Sequence, residues 1–320
     1  MTNFQVYKKT LSFSLINFLV GLGSLVILAG FTVLGFIITK NPPIDNGVIG
    51  LIIGFILGCI AAAFISIFIS NRFKAAQIAM MTKGVTDGDL PEKGTFKLGM
   101  EEIKGRFGKI TAFFFITNAI KGLFRELGRG VTKIGGAIGG DAGSAVGSTI
   151  DSAVQTLVGY LCDCCLGWIL YRKEVNAAKA GCEGAVIFFK NGKALIRNVG
   201  RIFGMGFLSL LVIGGAFFGI SYLVFSQFPT MATELAAEIQ TWLDEPNPIF
   251  ENGTVFIIAA SGIVGLLMWS LIHSVLIRPF ILTGVLRNFM AAGQAEIPSE
   301  ADFAVLDSKS RRFAKLHNSI

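Results

Sequence analysis

Four long apolar runs interrupt the polar sequence. Residues 10–39, 46–71, 202–233 and 252–277 contain no Lys, Arg, Asp or Glu, and His273 is the only imidazole within them. A helix needs about 20 predominantly apolar residues to cross the hydrocarbon core of a bilayer. Each run is long enough. The pattern predicts an all-α polytopic transmembrane helix bundle, a single integral membrane domain over residues 1–320 with the lipid bilayer as its first partner. The run behind Lys8 and Lys9 is about twice the length of a signal-peptide core. No A-x-A site follows it, so it reads as a first membrane helix.

The polar segments between the runs set an expected orientation. Residues 72–109 hold Arg72, Lys74, Lys83, Lys93, Lys97, Lys104, Arg106 and Lys109, and residues 172–201 are similarly basic. Residues 229–253 carry Glu234, Glu238, Asp244, Glu245 and Glu251 and no Lys or Arg. The positive-inside rule places the two basic segments in the cytoplasm and the acidic loop outside. Lys8 and Lys9 then put the amino terminus inside. The tail over residues 279–320, with Arg287, Lys309, Arg311, Arg312 and Lys315, follows it.

Parity leaves the middle of the chain open. The chain is inside at Arg72 and inside again at Arg172, so residues 110–171 cross an even number of times. Residues 110–127 and 152–171 are two candidate crossings, the second interrupted only by Asp163. With them the bundle has about six membrane helices. Without them it has four, and residues 110–171 form an interfacial or re-entrant element. Between the candidates, Gly135, Gly139 and Gly143 recur every four residues. They read either as part of a flexible outer loop or as a smooth helix face on which a homo-oligomer packs.

The segments after the second and last runs look alike. Phe73, Asp89-Leu90-Pro91, Phe96 and Arg106-Phe107 are matched by Phe280, Glu296-Ile297-Pro298, Phe303 and Arg312-Phe313. A parallel repeat accounts for the match, as in transporters whose halves share an axis along the membrane normal. Chance recurrence of a juxtamembrane anchor is the other account.

Composition supports the membrane assignment, since charged residues are 15% of the chain against about 25% in soluble domains. The net charge of +7 comes from the segments between runs, with no separate basic domain to bind nucleic acid. No H-E-x-x-H, G-x-S-x-G or phosphate-loop motif appears in context, so no enzyme and no cofactor are expected. Asp163 and His273 are the ionisable groups inside expected crossings. Each is a candidate solute or ion contact, because such groups face a bundle interior or a cavity. The alternative for Asp163 is an interfacial pair with Arg172 or Lys173, and for His273 a hydrogen-bonded packing role. Cys162 and Cys165 share one helix face while Cys164 points elsewhere, so no metal is expected and the thiols are reduced.

One stretch carries a resemblance. Cys164-Cys165-Leu166, Asn176-Ala177, Ala180-Gly181 and Lys193-Ala194-Leu195-Ile196-Arg197-Asn198 resemble part of the choline-transporter-like family, over about 40 residues. The chain is much shorter than that family and departs from its carboxyl-terminal motif, so no binding residue carries over. The overall plan is also similar to multipass proteins of Firmicutes-type bacteria, which implies a plasma membrane. The leading expectation is a transporter or channel-like protein for a small solute or ion. The alternative is a structural or assembly protein that forms a homo-oligomer through glycine faces.

Overall fold

The computed structural model describes residues 1–40, 47–104, 156, 158–196, 199–241 and 247–318. Every regular element among them is helical. Helix α1 is Asn3–Lys40. It opens on a reciprocal cap, in which the Gln5 N–H donates to Thr2 Oγ1 (3.2 Å) and the Thr2 N–H to Gln5 Oε1 (2.7 Å). Helix α2, Gly47–Thr86, contains a π turn at Ser66–Ser70. Gly88 stops it with φ +75°, the left-handed cap that glycine adopts without strain. Helix α3 is Thr95–Lys104, α4 is Val158–Tyr171 and α5 is Ala177–Ile196. Helix α6, Gly204–Phe225, has its own π turn at Leu210–Gly214. Helix α7 is Pro229–Gln240, with proline at its start, and α8 is Pro248–Glu251. Helix α9, Gly253–Ala295, is capped by Asn252 and carries a π turn at His273–Ile277. Helices α10, Glu300–Lys309, and α11, Arg311–His317, end the chain.

Among the described residues, α1, α2, α6 and α9 are long and apolar enough to cross a bilayer. The protein is an integral membrane protein with a polytopic helical bundle. Its chain divides into two units. Unit one is Met1–Phe13, Arg72–Arg201 and Pro279–Ile320, and unit two is Ser14–Asn71 and Ile202–Arg278.

Unit two is inverted relative to a soluble protein. Leu19, Ile38, Phe64, Phe207, Leu223 and Ile263 are each about 60% exposed or more, while Gly50, Gly54, Gly58, Ser221, Ser261 and Gly265 are buried. Lipid tails are as apolar as leucine, so spans associate through close packing rather than through hydrophobic burial. The glycines supply that packing. A Cβ on Gly35 would stand 2.1 Å from the Gly50 carbonyl oxygen, and one on Gly54 would stand 2.2 Å from that of Phe31. The α6–α9 pair repeats the device, with a Gly265 Cβ 2.8 Å from the Gly214 oxygen. Among the described residues, the four-residue glycine spacing at a seam is Gly50, Gly54 and Gly58, inside the second span. Gly135, Gly139 and Gly143 lie outside the described residues.

Unit one has an ordinary core. Trp168, Phe13, Phe289, Phe303 and Phe313 are all buried. Helix α4 runs through it with nearly every residue covered. Gly167 lets α4 approach Ile78, Thr82 and Leu286, Gly293 admits the Trp168 ring, and Gly184 of α5 sits against Cys165. Residues 110–127, the first extra crossing expected, lie outside the described residues. The second, over residues 152–171, is seen as α4. Its described part, Val158–Tyr171, is apolar and almost entirely buried among protein side chains. A helix that is apolar all round is buried either in a core or in a membrane.

The segment from α2 to α3 and the segment from α9 to α10 share a register. The π turns of α2 and α9 open at Ser66 and His273, 207 residues apart, the spacing that also separates Phe73 from Phe280 and Phe96 from Phe303. At the same spacing, Gly50, Gly54 and Gly58 map onto Ile257, Ser261 and Gly265, the buried face of the upper part of α9.

Candidate functional site

Asp163 lies in unit one, where its side chain is 6% exposed. Helix α4 carries it toward the part of α2 beyond the π turn. There Lys74 Nζ approaches Asp163 Oδ1 at 2.7 Å, and the lysine side chain is 40% exposed. This corrects the pairing expected with Arg172 or Lys173. Nine residues at 100° each put Arg172 on the opposite side of the helix from Asp163. Arg172 instead pairs with Glu174 and, at 3.3 Å, with Glu183, while Lys173 reaches Glu102 at 3.1 Å. A carboxylate buried this deeply is tolerated because a cation is paired with it.

A second polar network closes the same core. Trp168 Nε1–H donates to Glu183 Oε2 at 2.9 Å, and the Arg172 guanidinium lies 5.8 Å from the indole ring centre. Glu183 is only 2% exposed. The indole N–H and the guanidinium thus share one buried carboxylate. A cleft of about 210 Å3 beside this core is lined by Thr82, Lys83, Asp87, Glu102, Tyr171 and Lys173. The Gln294 amide donates to the Tyr171 hydroxyl at 3.0 Å.

His273 lies in unit two, at the first position of the α9 π turn. Its ring packs 5.4 Å from that of Trp269, whose indole N–H donates to Ser209 Oγ at 3.0 Å. Ser209 in turn donates to the Gly206 carbonyl at 2.7 Å. Asp163 and His273 belong to different units of the chain. Lys74, Glu183 and Trp168 escaped sequence reasoning. Trp168 had a usable signal, since a buried indole N–H needs an acceptor.

Burial pushes Cys182 up to about 12, with help from Asp307 and Glu183, so it stays protonated at neutral pH. Among the described residues no group of three His, Cys, Asp or Glu side chains is placed to hold a metal ion. Comparison with known proteins found no matching family model, no matching curated protein and no matching solved structure.

Proposed function

We propose that this chain is a membrane assembly protein, whose four spans hold a helical unit that associates with further copies, and not a solute pathway through its own spans. The observation that carries the reading is the Lys74–Asp163 pair. The one carboxylate expected inside a crossing has its charge balanced by Lys74 within unit one. It is not offered to a solute between spans. The glycine seams support the same reading, because backbone contact at Gly35, Gly50 and Gly54 leaves no passage between α1 and α2. The basic segments over residues 72–109 and 172–201 face the cytoplasm of a plasma membrane, and both termini lie on that side.

Transport is the second reading, and one observation favours it. The π turns at Ser66–Ser70 and His273–Ile277 interrupt corresponding spans. Such turns recur at functional sites, and paired interruptions in repeated halves point to substrate sites in transporters. The likeness of residues 160–200 to the choline-transporter-like family adds to it.

Reconstitution separates the two. The purified chain is placed in lipid nanodiscs for mass measurement and in liposomes for flux of ions and small ammonium solutes. The assembly reading expects a defined oligomer and liposomes no leakier than empty ones. A monodisperse monomer with flux that His273→Ala abolishes would overturn it in favour of transport.

A further inference from the structure

A groove in unit one runs between the start of α1 and the turn leading into α3. Gln5, Lys8, Lys9, Ser12, Glu92 and Thr95 line it, and its volume is about 670 Å3. That is ample for a phosphate and the glycerol that carries it. Neither lysine has a carboxylate partner among the described residues. Lys9 Nζ donates to the Leu90 carbonyl, which steadies the ammonium without cancelling its charge. The Thr95 hydroxyl is turned onto the Pro91 carbonyl at 3.1 Å, so charge rather than hydroxyl chemistry defines the groove. Glu92 is its one acid, and two lysines outweigh it.

The second half of the chain treats the corresponding place differently. Phe96 corresponds to Phe303, so Thr95 stands where the other half has Asp302. Asp302 accepts from the Ser299 N–H at 2.8 Å and lies 3.0 Å from Lys190 Nζ. There the chain's own carboxylate sits against the lysine. In the first half that position is Thr95, at the edge of an open groove that Lys8 and Lys9 line.

The groove is also within reach of lipid. Lys8 and Lys9 immediately precede the uncharged apolar run of α1 that begins at Thr10. At 1.5 Å per residue they stand within about 3 Å of its start along the helix, inside a headgroup layer about 5–7 Å deep.

We propose that this groove binds the phosphate of an acidic phospholipid headgroup. Basic pockets at the cytoplasmic ends of spans suit such headgroups, each lysine contributing about five-fold in affinity. The test uses the full chain in mixed phosphatidylglycerol and phosphatidylcholine nanodiscs, with bound lipid read by native mass spectrometry. Wild type retains phosphatidylglycerol preferentially, and so does Lys97→Gln, an exposed lysine whose nearest acid is Glu101 at 4.0 Å. The double variant Lys8→Gln, Lys9→Gln loses the preference. Thr95→Asp keeps both lysines, installs the other half's carboxylate and also loses it. An unchanged preference in both variants overturns the proposal. Inorganic phosphate that protects the chain thermally as well as short-chain phosphatidylglycerol does would assign the groove to a free anion, and the lipid proposal would fail.

Discussion

Lys74 Nζ sits 2.7 Å from Asp163 Oδ1, yet the two residues stand in very different surroundings, one 40% exposed and the other 6%. The asymmetry sets what each loss costs. Lys74→Met removes a cation from beside a buried carboxylate and should cost more than the about 1 kcal/mol of an exposed pair. Asp163→Asn leaves an ammonium that water can reach, and about 1 kcal/mol is expected. The double variant Lys74→Met, Asp163→Leu should recover most of the loss, because apolar replacements of buried pairs are often neutral. Thermal unfolding of the detergent-solubilised chain reads all three. Equal losses from the two single variants would contradict the placement of Asp163.

Gly54→Leu should disrupt the α1–α2 hairpin. The new side chain would begin 2.2 Å from the Phe31 carbonyl oxygen, and backbone cannot yield as a side chain can. The cost belongs at or above the upper end of the about 1–3 kcal/mol usual for overpacking. Gly30→Leu is the control, since nothing lies within 4 Å of a Cβ there. Folded yield after reconstitution should fall for the first variant only.

The cap of α10 should respond to acid. Hydrogen bonding from the Ser299 N–H, then from Lys190 and the Ser299 hydroxyl, lowers Asp302 from 3.8 to about 2. A depressed carboxylate contributes stability that is fully present above its unfolded value and lost as pH falls through the folded one. Protection factors over residues 303–309, corrected for the intrinsic exchange rate, should therefore fall between about pH 4 and pH 2. Asp302→Asn should show the lower protection already at pH 7 and no such step.

Cys182, held protonated up to about 12, should resist maleimide at pH 7 in the folded chain and react once the chain is unfolded. Rapid labelling of the native protein would contradict its burial in the α5 core.

Orientation can be read with cysteines placed at exposed positions. Lys93→Cys and Val305→Cys should label only from the cytoplasmic side, and Thr241→Cys only from outside. External labelling at position 93 in intact cells would reverse the assignment.

The four spans were legible because hydrocarbon demands an unbroken apolar run, and no other constraint writes one so long. Helix α4 was harder. Protein on every side and lipid on every side select the same residues around Trp168. The glycine seam was legible in kind but not in place. Gly50, Gly54 and Gly58 have the same spacing as Gly135, Gly139 and Gly143, and spacing alone does not choose between them. The repeat was legible from Phe73, Phe96 and their counterparts, whereas its π turns were not, since a widened turn leaves no fixed residue signature. Lys74 could not be matched to Asp163 because nothing local links two residues so far apart in the chain.

The glycine seams also govern how this sequence can drift. In most proteins the outside tolerates change and bulky interior positions resist it. Here the largest side chains of unit two, such as Phe64 and Phe207, face outward, where any apolar residue of similar length will serve. The smallest ones hold the spans together. Exchanging phenylalanine for leucine at the surface should pass unnoticed, while adding a single methyl at Gly50 should not. Divergent copies of this protein would keep their glycines in register long after their aromatic residues had been replaced.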